Sequence, residues 1–199
     1  MDILNEWLKK HRRIYIDAFE KECDSVTERI VCRDGYGFSC QANESVHCNP
    51  RKSNAFPYSS VELGYPTEKD NLINTYGKLQ ADCDVIMSGG EKRIECIYPY
   101  VPVKTVIKLI KKHGGFKDGP SKADIDILEA GYKLIEPGVD NHLTYFKHIN
   151  DHKIRVIDIN KKDYKITCYN KHVLGSSRVA IMTKAEKRLF TAKLEEIGV

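Results

Sequence analysis

The chain has 199 residues, of which 41% are hydrophobic and 30% charged, a balance that sustains a packed core and excludes global disorder. A formal net charge of +4 is too small for a dedicated duplex-DNA binder; it allows a nucleic-acid contact without requiring one. The sequence holds no apolar run of about 18 residues, which excludes a transmembrane helix, and its start, Met1-Asp2-Ile3-Leu4-Asn5-Glu6, lacks the basic region of a signal peptide.

Taken in order, Leu4, Trp7, Leu8, His11, Ile14, Tyr15 and Ala18 form a helical stripe behind an Asp2 N-cap, with Lys9, Lys10, Arg12 and Arg13 turned outward; the first twenty residues are predicted helical. Val26–Arg33 alternates and is β-branched, Asp34-Gly35 is a favoured turn, and Tyr36–Ala42 returns as a second strand. Residues 43–57 read as a long polar loop with Asn49-Pro50 and Phe56-Pro57 as breakers, a length usual only in functional or mobile loops. A strand over Ser59–Tyr65 ends at Pro66. An irregular helix is predicted over Glu68–Leu79, a short strand over Asp82–Met87, a turn at Ser88-Gly89-Gly90 and a strand over Arg93–Tyr98. Pro102 then opens a helix whose stripe, Val103, Val106, Ile107 and Ile110, runs to His113 and stops at Gly114-Gly115.

Gly and Pro within Phe116–Ser121 mark a linker between two modules, 1–115 and 121–199. A short helix ending at Gly131 precedes strands at His142–His148, Lys153–Ile159 and Tyr164–Tyr169, joined by turn-rich connectors, with a fourth strand near Val179–Met182. Thr183 and Glu186 spell a capping box for a final helix carrying Leu189, Phe190, Leu194 and Ile197. The expected fold class is α+β: an antiparallel sheet with flanking helices, followed by a small β-meander plus a C-terminal helix.

Seven cysteines, odd in number and scattered, make a poor disulfide framework and fit a reducing compartment; they are expected mostly as small buried hydrophobes. The densest chemistry lies in Ser39–Pro66, where acid, imidazole, thiol, amide and guanidinium groups crowd the end of a hairpin. Three readings are open. Cys48 could be a nucleophile with His47 or His113 as base, although His47 and Cys48, as chain neighbours, point opposite ways on a strand. Cys32, Cys40, His47 and Cys48 could bind zinc, but the paired close knuckles of structural zinc sites are absent. The third reading is a recognition loop, with Cys40 turned inward and Arg51 paired with Glu44 or Glu62. Gly89-Gly90 and Lys92 lack the rest of a phosphate-loop pattern and read as a hairpin turn. The aromatics Tyr36, Phe38, Phe56, Tyr58, Tyr65, Tyr98 and Tyr100 crowd the same module, and tyrosine beside arginine favours protein recognition.

The run C-Q-A-x-E-x-x-x-C-x-P-R (residues 40–51), then Y-S-S-V-E-L-G-Y-P-T (58–67) and Y-x-Y-V-P-V-K-x-V-I-x-L-I-x-K-H-G-G (98–115), resembles a family of small phage and prophage proteins. That family is mostly uncharacterised and includes anti-CRISPR inhibitors of Cas9. The resemblance covers about half the chain and implies a non-enzymatic protein without cofactor or metal, acting in the cytoplasm of a host bacterial cell. Its implied partner is a host protein such as a CRISPR effector nuclease. No catalytic residue is carried over. The expected binding loop comprises Gln41, Glu44, His47, Cys48, Arg51, Tyr58, Glu62 and Tyr65, and the alternative is a thiol-dependent enzyme of nucleotide or nucleic-acid metabolism. Oligomeric state is not legible from the sequence.

Overall fold

The computed structural model describes residues 2–16, 22–77, 83–88, 90–135, 142–172 and 176–197, with the backbone alone for 14–16, 22–25 and 91. They form two compact units, Met1–Lys122 and Ala123–Val199.

In the first unit, helix α1 (Ile3–Lys10) is capped by the Asp2 carboxylate, which accepts from the Asn5 amide at 3.0 Å. It ends at His11, and Arg12–Ile16 is strand β1, paired antiparallel with β2 (Glu22–Thr27). The single long helix expected here is thus corrected: Ile14-Tyr15-Ile16 is β-branched and aromatic, and β2 gives its backbone partners. Ala18 lies outside the described residues. The expected strand over Val26–Arg33 is likewise broken at Glu28-Arg29, its first part belonging to β2 and its second to the short β3 (Ile30–Val31).

Strands β3, β4 (Gly37–Gln41) and β5 (Ser60–Gly64) follow, then a hairpin of β6 (Val85–Ser88) and β7 (Glu91–Ile94), then β8 (Ile97–Pro102). The main sheet runs β3-β4-β5-β8, antiparallel throughout. Asp34-Gly35 turns as expected, with Gly35 at φ +93°, where only glycine is unstrained. Two expectations fail between β5 and β8. The helix over Glu68–Leu79 is only a 3-10 turn at Asn74–Tyr76, because the Asp70 carboxylate takes the Leu72 amide and competes with helical pairing. The strand over Arg93–Tyr98 splits between β7 and β8 at Glu95-Cys96, where Cys96 is bonded to Cys83. That disulfide corrects the expectation that these cysteines are unpaired. Leu79, Asp82 and Gly89 fall outside the described residues.

Helix α2 (Val103–Lys112) buries Val103, Val106, Ile107, Leu109 and Ile110, and stops where Gly114 and Gly115 take φ +84° and +98°. It packs on α1 and against β8, and Phe38, Cys40, Val61 and Leu63 of the sheet are fully buried. Burial of a side chain such as Phe38 or Leu63 contributes about 2 kcal/mol. Residues 116–121, expected as a linker, fold back instead: Phe116 is buried in a bridge to Cys32, and Lys117 donates its amide to Val31.

The second unit holds α3 (Lys122–Glu129), whose first residue closes the preceding unit, and the strands β9 (Lys133–Leu134), β10 (His142–Asn150), β11 (Lys153–Asn160), β12 (Lys165–His172) and β13 (Ser177–Val179). They form one antiparallel meander, β13-β12-β11-β10-β9. The fourth strand lies at 177–179 rather than 179–182. Helix α4 (Lys184–Glu196) seats Phe190 against Ile127, Tyr132, Tyr145, Ile157, Ile159 and Cys168, and the capping box of Thr183 and Glu186 is formed. The fold is α+β, and no helix among the described residues is long and apolar enough to cross a membrane.

Candidate functional site

The polar run 43–57 contains no regular element, yet side chains from the neighbouring helix and strand hold it. The Asn5 amide mimics a strand partner for Tyr58: its Oδ1 accepts from the Tyr58 N–H at 2.7 Å and its Nδ2 donates to the Tyr58 carbonyl at 3.0 Å. Tyr58 is buried, and its hydroxyl donates to the Lys52 carbonyl while accepting from the Ala55 amide. Asn49 bridges to Ser60 at the start of β5, and Asn43 closes a turn on the Ser45 amide. The loop therefore folds around an internal hydroxyl and is anchored at both ends.

Cys48 lies inside this loop at 1% exposure, its Sγ donating to the Asn43 carbonyl at 3.1 Å. Burial raises its pKa above the ordinary 9.0, outweighing the bond to Asn43. The thiol is protonated and occluded, the reverse of an activated nucleophile.

The pairing of β5 with β8 shifts register at Glu62. Val61 faces Val101 and Leu63 faces Tyr98, so Pro99 and Tyr100 together oppose Glu62 in a β-bulge. Tyr100 takes φ 50°, unusual for an aromatic residue, and is held there by its amide donating to the His47 carbonyl at 3.0 Å. Glu62 accepts from the His47 amide at 3.0 Å and contacts the His47 ring Nδ1 at 2.6 Å. The His47 ring meets Tyr100 edge-on, centroids 5.5 Å apart, and both remain about half exposed, at 48% and 47%. Loop, bulge and carboxylate thus present an imidazole and a phenol together at the rim of the sheet.

Of the eight expected loop residues, His47 and Glu62 meet here. Arg51 is exposed beside them in sequence, but its Nε donates to the Glu44 carbonyl rather than to either expected carboxylate; the Glu62 carboxylate is taken by His47. Glu44 is exposed. Gln41 is not available to a partner, since its amide group ties β2 to β4 through the Thr27 N–H and carbonyl. Cys48 and Tyr58 are interior, a correction of their place in a contact surface. Tyr65 is exposed at φ 50°, clamped by its amide to Cys96 and its carbonyl to the Arg29 guanidinium. Among the other aromatics, Tyr36, Phe38 and Tyr98 are core residues rather than surface ones, which leaves Tyr65 and Tyr100 as the exposed pair.

His113, the other base considered for Cys48, is engaged elsewhere. Its Nδ1 contacts Asp34 at 2.7 Å and its Nε2 contacts Asp70 at 3.1 Å, while Lys112 reaches Asp70 at 2.5 Å and Tyr36 stacks on the ring at 3.8 Å. Burial raises the pKa of each carboxylate, but the hydrogen bonds from Tyr36 and His113 to Asp34, and from Lys112, Leu72 and His113 to Asp70, bring both below the ordinary value. Both ring nitrogens therefore face carboxylates rather than Cys48. Cys32 and Cys40 are buried, burial raising Cys32 to about 12 and Cys40 higher still. Among the described residues no cluster of three or more His, Cys, Asp or Glu side chains is placed to hold a metal ion.

Sequence reasoning missed Tyr100 as a site residue and the Asp34–His113–Asp70 network. Pro99 and Pro102, flanking Tyr100-Val101, carried a signal for the first, since proline inside a strand marks a bulge. The second depends on tertiary packing alone. Compared with protein-family models, curated proteins and solved structures, the chain matches none.

Proposed function

We propose that the chain is a phage-encoded accessory protein that binds and inhibits a host macromolecule, a Cas9-type CRISPR nuclease in the cytoplasm of a bacterial host, without catalysing a reaction. The observation that carries the binding reading is the preformed rim at the Pro99-Tyr100 bulge: His47 and Tyr100 are half exposed and rigidly seated, while every reactive-looking group beneath them is capped. Rigid aromatic and polar groups on an ordered loop make contacts at small entropic cost. Arg51, Glu44 and Tyr65 extend the exposed chemistry of the same segment. The identity of the target rests on the motif resemblance over residues 40–115. A thiol enzyme finds no comparable support, because Cys48 is buried and protonated and both nitrogens of His113 face carboxylates.

The test is a pull-down against a panel of Cas9 proteins coupled to a DNA-cleavage assay. Capture of at least one member with loss of its cleavage is expected. Absence of both across the panel overturns the assignment to that target.

A further inference from the structure

A groove of about 300 Å³ opens on the first unit, away from the loop just described in sequence, lined by Arg29, Val31, Gly35, Gly37, Thr67 and Lys92. Its lining brings together two cationic side chains and one hydroxyl. We propose that this groove binds a single phosphate group, free or carried on a small ligand such as a nucleoside monophosphate.

The groove is built before any ligand arrives. The Arg29 guanidinium donates to the Tyr65 carbonyl at 2.7 Å and to the Gly37 carbonyl at 2.8 Å, which sets its plane and removes most of the cost of ordering it on binding. Gly37 allows that seat: a Cβ there would lie 3.2 Å from Arg29 Nε. A Cβ at Gly35 would meet nothing within 4 Å, so the two glycines leave the concavity open at the hairpin turn. Thr67 Oγ1 accepts from the Gly37 amide at 3.2 Å, leaving its own proton to donate. Lys92 comes from β7, is exposed, and has no side-chain partner among the described residues.

The backbone amides at the turn are already used, Gly35 by Cys32, Tyr36 by Asp34 and Gly37 by Thr67. Ligand recognition therefore falls to the side chains of Arg29, Lys92 and Thr67, whose charge and donors match a tetrahedral oxyanion. The volume lies at the low end for ligand pockets, which favours a small phosphorylated molecule over a larger one.

The experiment titrates the full chain with inorganic phosphate, adenosine monophosphate and a short oligothymidylate, read by amide chemical shifts and calorimetry. Expected are saturable shifts at Gly35, Gly37 and Thr67 with phosphate or the mononucleotide, and about tenfold weaker binding in Lys92→Gln. Thr67→Val should weaken binding by about fivefold. Lys92 is exposed, so its variant keeps the fold, checked by unchanged shifts outside the groove. No binding of either small probe overturns the proposal. So does binding insensitive to both substitutions, or binding of the oligonucleotide alone.

Discussion

Alkylation of Cys48 separates the two ways of reading the loop. The perturbation is iodoacetamide at about pH 7.5, with modification followed peptide by peptide. A cysteine at the ordinary value of 9.0 is already only about 3% thiolate there, and burial pushes Cys48 higher, so its reactive fraction is smaller still. Access adds a second barrier: at 1% exposure the sulfur is reached only when the loop opens. Opening breaks the two bonds between Asn5 and Tyr58 and the bridge from Asn49 to Ser60. At about 1 kcal/mol each they hold the loop shut by about 3 kcal/mol, which slows modification roughly 150-fold relative to the unfolded chain. Cys48→Ser should keep a donor to the Asn43 carbonyl, cost about 1 kcal/mol, and leave partner binding unchanged. Labelling of native Cys48 at close to the unfolded rate, or loss of function in Cys48→Ser with the fold intact, would refute the reasoning.

Two further predictions concern the charged clusters. Glu186, 15% exposed, is opposed by burial, but Arg155, Tyr132 and Thr183 hold its pKa down to about 2 from 4.5. Because the folded value is depressed, the stability it contributes is full above pH 4.5 and is lost as pH falls towards 2; amide exchange in β11, β12 and α4 should report a loss of about 3 kcal/mol over that window. Little change in that exchange would contradict it. In the first unit, His113→Asn withdraws a donor from Asp70, which is 3% exposed, and should lower unfolding stability by about 2 kcal/mol in denaturant titration. An unchanged midpoint would mean that Lys112 alone satisfies that carboxylate.

What the sequence disclosed follows physical range. Helix α2 was legible because its stripe, proline start and Gly114-Gly115 stop are local, and the Thr183–Glu186 box was legible for the same reason. The first helix was overextended because Ile14 and Tyr15 satisfy a helical period and a strand equally, and only pairing with β2 decides between them. Burial of Tyr36, Tyr58 and Tyr98 could not be read from composition, since the same ring serves a core or a surface. Arg51 is nearer than His47 to Glu62 in sequence, yet the bulge at Pro99-Tyr100, a matter of register, selected the histidine. The Cys83–Cys96 bond was hidden because 13 residues of separation carry no signature of their own.

The most direct measurement is inhibition of target-DNA cleavage by a captured Cas9, comparing the unmodified chain with Tyr100→Ala and His47→Ala. Both side chains are half exposed, so the variants fold, and removal of a central aromatic contact costs about 2 kcal/mol or more in binding. Inhibition by the unmodified chain, weakened by about thirtyfold in Tyr100→Ala, is the predicted result. Inhibition unaffected by either substitution would contradict docking through this rim.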